Sequence, residues 1–265
     1  MRRSLPTSIL CLALGLPAVA SAQMGGGPPT PMALDLKKVP VGSWAEYNMT
    51  IGQGMTMKSR VALVKRDATE SVMEMGVEGG MAAMAGGKVI MKMVLAPDPT
   101  KSDKPIKQMV MQMGDSDPME MPLEMSAKQQ KFEKPDPKKI VGKETLKIAG
   151  GSFKTSHYRD ATDKGTVDYW ISEDVPPLGV VKMASTPKAG AVGPNGQPVP
   201  PVAMELAAHG KDAKPQVTKP AKPFNPAAMF GPGGPGGGPP GGGPGGPGRP
   251  PGAGGPPPGM PVKAK

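Results

Sequence analysis

Residues 89–95 read VIMKMVL, a stretch that decides the fold class because large apolar side chains occupy every second position. Alternate side chains of a β-strand point to opposite faces of the sheet, so these apolar side chains share one face. The same two-residue period recurs in the runs 47–51, 55–63, 73–77, 109–113, 119–123, 146–148, 153–157, 167–171 and 202–206. The pattern predicts a succession of antiparallel strands, each apolar on one face and wetted on the other.

Turn-forming residues separate these runs, as at Gly52–Gly54, Gly150–Gly151 and Ser172–Pro177. About ten short strands between residues 43 and 210 predict a single domain, which we place at residues 35–212. Helical periodicity is weak, and its best candidate is one or two turns over Ser126–Lys134.

The first 22 residues predict a secretory signal peptide. Arg2 and Arg3 form a basic start, residues 9–16 (ILCLALGL) form a short apolar core, and Ala20-Ser21-Ala22 supplies small residues for cleavage. The apolar core is too short to span a membrane, and no stretch of 18 apolar residues follows it. We therefore expect an exported protein, periplasmic or extracellular, with no transmembrane span after cleavage.

Composition divides the remaining chain into a short linker, the domain and a tail. We expect residues 23–34 to be a flexible linker and residues 213–265 to be a disordered basic tail. Gly and Pro occupy 27 of the 30 positions in residues 231–260, and no acidic residue follows Asp212. Such a segment has little apolar surface to offset its ordering entropy. The tail is interpreted as a solvated spacer or as a tether to anionic envelope polymer.

Charge and residue counts exclude several functional classes. Residues 23–212 carry 24 basic and 22 acidic groups, so the pI of 9.6 does not mark a nucleic-acid-binding face. The single cysteine, Cys11, lies in the predicted signal peptide, and the chain has two histidines, His157 and His209. Ser156 and His157 are strand neighbours on opposite faces and cannot form a catalytic dyad. We expect a monomer without catalytic activity, without a cofactor and without nucleic acid.

Methionine is the residue type that carries a functional hypothesis. Fifteen of the 22 methionines lie between Met49 and Met125, many as Met-x-Met. The simplest interpretation is an apolar core face, which Met fills adaptably and which would also suit a lipid-like ligand. That candidate ligand face comprises Met55, Met57, Met73, Met75, Met91, Met93, Met109 and Met111. Thioethers also favour Cu(I), for which Met81 and Met84 in a glycine-flanked loop are the candidates, and they react with oxidants.

Residues 142–210 carry a resemblance to known proteins. They run GKETLKIAGGSFKTSHYRD, then GTVDYWISEDVPPLGVVKM, a Pro/Gly loop at 187–201, and MELAAHG. This succession of strands and turns resembles the C-terminal half of uncharacterised bacterial envelope proteins related to the LolA/LolB-like lipoprotein carriers. The resemblance implies a curved antiparallel sheet, or unclosed β-barrel, with an apolar concave face. Clear amphipathic helices, which sometimes plug such sheets, are missing here, and no ligand residues transfer.

The sequence thus predicts a mainly β domain that acts as a non-catalytic binding protein of the cell envelope, with a lipid-like or other apolar group on its Met-rich face. Two alternatives stay open. One is a structural or interaction module that acts through the Gly/Pro tail, and the other is a Cu(I)-binding protein.

Overall fold

The structure is a computed structural model that describes residues 30–225, except residues 53, 86, 124–131, 164 and 194–195. The predicted signal peptide, residues 23–29 of the linker and residues 226–265 of the tail lie outside this part. The prediction of a mainly β fold is confirmed, since the described chain is dominated by strands of one large antiparallel sheet.

The strands follow the alternating runs of the sequence. Their bounds are β1 Thr30–Pro31, β2 Trp44–Ile51, β3 Met55–Arg66, β4 Ser71–Gly79, β5 Lys88–Leu95, β6 Ile106–Met113, β7 Met119–Glu120, β8 Phe132–Glu133, β9 Ile140–Ile148, β10 Gly151–Thr162, β11 Gly165–Ile171, β12 Val180–Pro187 and β13 Val202–Gly210. Two short 3₁₀ helices, η1 Gly80–Ala85 and η2 Pro137–Lys139, lie between strands.

Eleven strands form the main sheet in the order β7-β6-β5-β4-β3-β2-β13-β12-β11-β10-β9. It consists of two up-and-down meanders, β2–β7 and β9–β13, which join where β2 pairs with β13. Short turns between consecutive strands make this antiparallel pairing the natural outcome of the sequence. The sheet is not closed into a barrel, because β7 and β9 do not pair with each other. Strands β1 and β8 form a separate parallel pair.

The C-terminal meander curls back on itself. The turn between β9 and β10 reaches β13, where the Gly150 amide donates to the Leu206 carbonyl at 3.2 Å. Leu206 borders a register shift in the β13–β2 pairing, which leaves its carbonyl available. Curvature therefore brings strands that are four places apart in the sheet into contact, as the LolA/LolB-like resemblance implies.

The main apolar core lies on the concave face of this sheet. It contains the inward side chains of β2–β6 and β10–β13, including Tyr47, Leu63 and Leu206, all almost fully buried. The two-residue period of the sequence accounts for this face, since positions of one parity carry the apolar side chains along each strand.

The expectation that the other face is wetted holds for the C-terminal meander and for β2, whose outward Asn48 and Thr50 are exposed. On the C-terminal meander the outer face carries charged pairs such as Arg159–Asp168 at 2.8 Å and Lys182–Glu205 at 3.7 Å. On β3–β6 the outer face is apolar instead and forms two smaller buried clusters. Their members are Ala62, Val64, Val72, Val94, Ile90, Val110 and Val217. The prediction of one wet face is therefore wrong for this half of the sheet.

Residues 211–224, here called the strap, cover the apolar outer face. The amide of Ala213 donates to the carbonyl of Gly42, Val217 is buried over β5 and β6, and the backbone of Lys222 bonds with Pro118 and Glu120 beside β7. The strap thus crosses the sheet and protects its β7 edge. Its position extends the folded unit past the predicted boundary at residue 212 to residue 225.

Three local expectations need correction. The candidate helix Ser126–Lys134 lies outside the described residues up to position 131, and Phe132–Glu133 is strand β8. The strand predicted over 119–123 ends at Glu120, where the chain leaves the sheet before Pro122. The predicted linker is part of the fold from Thr30 onward, because β1 pairs with β8.

Candidate functional site

Methionines from neighbouring strands stand directly opposite one another on the concave face. Strand register aligns Met75, Met91, Met111 and Met119 in one row and Met73, Met93 and Met109 in the next. A third row joins the two meanders through Met183, Met204, Met49 and Met57. Side chains directly opposite in an antiparallel pair have Cβ atoms about 4.5–5.5 Å apart, so each row is a continuous strip of thioethers.

The predicted ligand face is largely buried. We call its seven buried members the methionine face: Met57, Met73, Met75, Met91, Met93, Met109 and Met111. The eighth predicted residue, Met55, differs because 42% of its surface is exposed at the hairpin end of β3. The structure therefore brings seven predicted residues together in one closed apolar cluster. The open cleft that the sequence allowed is not present over them.

A segment without regular secondary structure closes this cluster. Residues 32–39, here called the cover, contribute Met32, Leu36 and Val39 to the same apolar cluster as the methionine face. Met121 and Phe132, which flank residues 124–131, add to it. The N-terminal end of the cover is tied by two backbone bonds, from the Met32 amide to the Glu133 carbonyl at 2.9 Å and from the Ala33 amide to the Leu178 carbonyl at 3.1 Å.

Arg66 fixes the middle of the cover and was not singled out in the sequence. Its Nη1 donates to the carbonyl of Leu36 at 2.7 Å and also to the carbonyl of Val39. The cover is irregular, so these carbonyls have no strand partners, and a charged donor satisfies two of them at once. A basic residue at the end of an apolar strand carries no sequence signal for this role, because Lys65 beside it is exposed and pairs with Asp67 and Glu70 instead.

The two Cu(I) candidates occupy a short 3₁₀ helix at one end of the sheet. Met81 and Met84 lie in η1, between β4 and β5, and their side chains lie outside the described part of the chain. The first residue of η1, Gly80, lies against β3. A methyl group in place of its hydrogen would be 2.8 Å from Met57 Sδ and 3.6 Å from Met55 Cγ.

A polar and aromatic cluster lies on the outer face of the C-terminal meander. The His157 ring stacks on Trp170 with centroids 4.3 Å apart, and its Nε2 lies 2.7 Å from Asp168 Oδ1. Trp170 Nε1 donates to Glu144 at 2.7 Å, and Lys182 Nζ lies 5.4 Å from the Trp170 ring centroid. Ser156 pairs with Ile171, whereas His157 pairs with Trp170, so the two side chains lie on opposite faces, as predicted.

Two tyrosines are among the polar groups of the concave core, beside buried hydroxyls such as those of Ser59 and Thr155. Tyr47 donates its hydroxyl to the Val180 carbonyl at 3.0 Å and is almost fully buried. Burial raises the pKa of Tyr47 well above its usual value, and burial together with the nearby Asp160 charge raises the pKa of Tyr169. Both phenols are therefore neutral at physiological pH, and the face around the methionines is uncharged.

Within residues 30–225, leaving aside the undescribed positions, no group of three His, Cys, Asp or Glu side chains has a metal-binding arrangement. In the same part of the chain, no helix has both the length and the apolarity needed to cross a bilayer.

Comparison with known proteins gives structural neighbours but no family. No family model matches the chain, and no curated protein matches it at a significant level. Eight chains of solved structures match significantly.

Two of these matches show how distant the likeness is. The hypothetical protein CT021 from Chlamydia trachomatis is 12% identical, with 73% of this chain and 98% of that chain covered and a TM-score of 0.40. A chain from the complex of Pseudomonas aeruginosa MucA and MucB is 11% identical, with 67% of this chain and 55% of that chain covered and a TM-score of 0.37. This chain therefore spans about half the length of the latter.

Proposed function

We propose that this chain is an exported, non-catalytic binding protein of the bacterial cell envelope that holds a lipid-like apolar group between the methionine face and the cover. One observation carries the proposal. Rows of aligned methionines share one buried apolar cluster with Met32, Leu36 and Val39 of the cover, a short segment without regular secondary structure.

Methionine suits this role better than branched residues would. Its side chain is unbranched, has three rotatable bonds and a polarizable sulfur, and therefore repacks around apolar surfaces of different shape. A core selected only for rigidity would favour Leu, Ile and Val, whose rotamers are better defined. The two central rows instead consist entirely of methionine across β4, β5 and β6.

The cover is built as a removable element. Three of its side chains are buried members of the apolar cluster, and two more, Ala33 and Leu34, pack against the cluster. Arg66 bonds two of its carbonyl oxygens. Hydrogen bonds to a charged group contribute about 1.5–3 kcal/mol each, which water can partly replace when the segment lifts. An acyl chain that enters beneath the cover would replace the apolar contacts of the cover with its own. The covered state and the ligand-bound state should therefore be similar in free energy.

Lipid binding is tested by titrating the chain from residue 23 onward with a fluorescent long-chain fatty acid, followed by native mass spectrometry. We expect saturable binding of one molecule and faster amide hydrogen exchange in residues 32–39 when it is bound. Arg66→Gln should increase affinity, because it raises the fraction of molecules with the cover released. Lys58→Gln, an exposed substitution on the same strand, is the matched control and should bind like the unmodified chain.

The result that would overturn the proposal is a folded chain with no saturable binding, in both the unmodified form and Arg66→Gln. Binding that leaves hydrogen exchange of the cover and of β3–β6 unchanged would also contradict it, because the ligand would then occupy another surface.

A second function is favoured by the strap. The strap fixes the base of the Gly/Pro-rich residues 226–265 to the sheet, which suits an interaction module that presents its tail from a defined point. Deletion of residues 226–265 should then abolish co-sedimentation with the envelope fraction while fatty-acid binding persists. Unchanged co-sedimentation would dismiss this role.

A further inference from the structure

The two edges of the main sheet differ in how the chain covers them. At one edge the strap bonds β7, from the Glu120 amide to the Lys222 carbonyl and from the Lys222 amide to the Pro118 carbonyl, both at 2.8 Å. At the other edge β9 pairs with β10, and no strand of the described residues pairs with its far side. An edge strand presents a row of backbone donors and acceptors to any chain that can pair with it. The β9 edge is therefore where a further strand can join the sheet.

The backbone groups at this edge belong to alternate residues of β9. Thr155 Oγ1 donates to the Glu144 carbonyl at 3.0 Å, so this carbonyl points towards β10. Successive carbonyls of a strand point in opposite directions, so those of Lys143 and Thr145 point away from β10, to the open edge. The amide of a residue in an antiparallel ladder points to the same side as its carbonyl. Lys143, Thr145 and Lys147 thus offer their amides and carbonyls to an incoming strand.

The side chains of the same residues lie with those of β10 on one surface, here called the basic face. Strand register assigns it six residues: Lys143, Thr145, Lys147, Ser152, Lys154 and Ser156. Its three lysines are exposed, and in the described part of the chain none of them takes part in an ion pair. The lysine and arginine of the neighbouring strands β12 and β10, Lys182 and Arg159, each have a carboxylate partner instead. Glu144 belongs to the opposite face, so the basic face contains no carboxylate of its own.

The charge of the basic face decides between the possible occupants of the edge. The chain's own C-terminal residues do not fit, because no acidic residue follows Asp212 and the strap ends beside β7, at the other end of the strand order. A second copy of β9 does not fit either, since antiparallel pairing would place the lysines of both copies on the same face. Lysines on an edge strand oppose pairing with basic and apolar strands. They favour a strand that carries negative charge.

We propose that β9 accepts an acidic, extended segment of a partner protein as an additional strand of the main sheet. The backbone of this segment pairs with the amides and carbonyls of Lys143, Thr145 and Lys147. Carboxylates at every second position of the segment then lie beside the lysines of the basic face. The main-chain bonds supply affinity and the lysines select the charge of the partner. The basic face shares no residue with the methionine face, so this interaction does not depend on lipid binding.

The test uses the chain from residue 23 onward and a fluorescein-labelled peptide of alternating Glu and Val with the length of β9, 9 residues. We expect saturable binding of one peptide by fluorescence anisotropy, weaker at higher salt, and no binding of a peptide with Lys in place of Glu. Amide hydrogen exchange followed by NMR should slow at residues 143, 145 and 147 and stay unchanged in β7. Methylation of the backbone nitrogens at the peptide's glutamates should abolish binding, because it removes main-chain donors and leaves the charge unchanged.

Thr145→Pro separates strand addition from simple attraction of charge. It removes an amide that faces the open edge, a position where an edge strand tolerates proline, and it keeps every lysine. We expect about a tenfold loss of affinity for the acidic peptide. Thr145→Val keeps the amide, is the matched control and should bind like the unmodified chain. Circular dichroism confirms that both variants fold.

Replacing the three lysines of the basic face by Gln should lower the affinity by about tenfold or more. The same change at three exposed lysines elsewhere should leave it unchanged, and suitable positions are Lys58, Lys104 and Lys211. The proposal is overturned if Thr145→Pro binds as well as Thr145→Val, if the basic-face variant keeps its affinity, or if the methylated peptide still binds. Binding to phosphatidylglycerol vesicles without binding of the peptide would also overturn it, because the basic face would then contact a lipid surface.

Discussion

Glu74 provides the sharpest test of how the outer face is built. It lies in β4 between Met73 and Met75, its side chain is only 1% exposed, and it points to the face covered by the strap. Its two carboxylate oxygens accept the backbone amides of Gln216 at 2.7 Å and Val217 at 3.1 Å. A buried carboxylate is costly unless its oxygens are satisfied, so these two bonds explain both the charge and the position of the strap.

The substitution Glu74→Gln keeps the shape, retains one oxygen acceptor and turns the other into a donor that faces an amide. Loss of one charge-assisted bond costs about 1.5–3 kcal/mol, and the remaining bond becomes weaker because its acceptor is neutral. Relief of the buried charge offsets part of this. We therefore expect the free energy of unfolding to fall by about 2–3 kcal/mol. For a domain of this size, the melting temperature should fall by about 4–12 °C.

Urea unfolding gives the global change, and amide hydrogen exchange at residues 216 and 217 shows whether the strap is its source. Glu78→Gln is the matched control, since Glu78 lies on the same face of β4 and makes an exposed ion pair with Lys88 at 3.0 Å. Such a pair contributes about 0.2–1 kcal/mol, so the control should stay close to the unmodified chain.

A chain that ends at Lys214 lacks both amides that donate hydrogen bonds to Glu74. Combined with Glu74→Gln, this truncation completes a double-mutant cycle. In that background Glu74→Gln should no longer destabilise the protein. The reasoning is refuted if Glu74→Gln costs the same with and without the strap, or if exchange at residues 216 and 217 does not increase.

Three further predictions follow from single residues. The strap lysines hold the pKa of Asp117 below its usual range, so the stabilisation relative to Asp117→Asn should be present at pH 6 and be lost as the pH falls through this lowered pKa. Burial raises the pKa of Tyr47, so the free energy of unfolding should fall as pH rises above about 10. The fall should be less steep in Tyr47→Phe, a substitution that lowers the free energy of unfolding by about 1 kcal/mol at pH 7. Met93→Ala should lower the free energy of unfolding, measured in urea, by about 2–5 kcal/mol. Met55→Ala, at an exposed position, should change it by no more than about 0.5 kcal/mol.

The fold was predictable because the two-residue period is strong in most strands. The runs at 47–51 and 167–171 became strands with the expected inward side chains, and short turns made the pairing antiparallel. The single domain was less predictable at its ends. The β1–β8 pair and the strap consist of short polar or proline-containing segments, whose order depends on partners remote in sequence.

The common face of the methionines was predictable from the sequence, but its burial was not. Period two assigned the methionines to one face, and the strand register confirms that they align. Burial by the cover could not be predicted, because residues 32–39 show neither strand nor helix periodicity and their position depends on Arg66. The approach of η1 to β3 depends on positive φ angles at two glycines, which glycine permits but does not dictate.

The sequence also indicates that the outer face of β3–β6 is covered, although the alternation of methionines on the other face makes this indication less visible. In VIMKMVL, Lys92 is the polar residue, while Ile90 and Val94 occupy the face that a one-sided sheet would give to solvent. Strands buried on both faces are expected to read as near-continuous apolar runs. Glu74 sits on that same apolar face, and a lone carboxylate there requires donors from a covering segment. Read together, these residues predict a second cover over β3–β6, and among the described residues the strap supplies it.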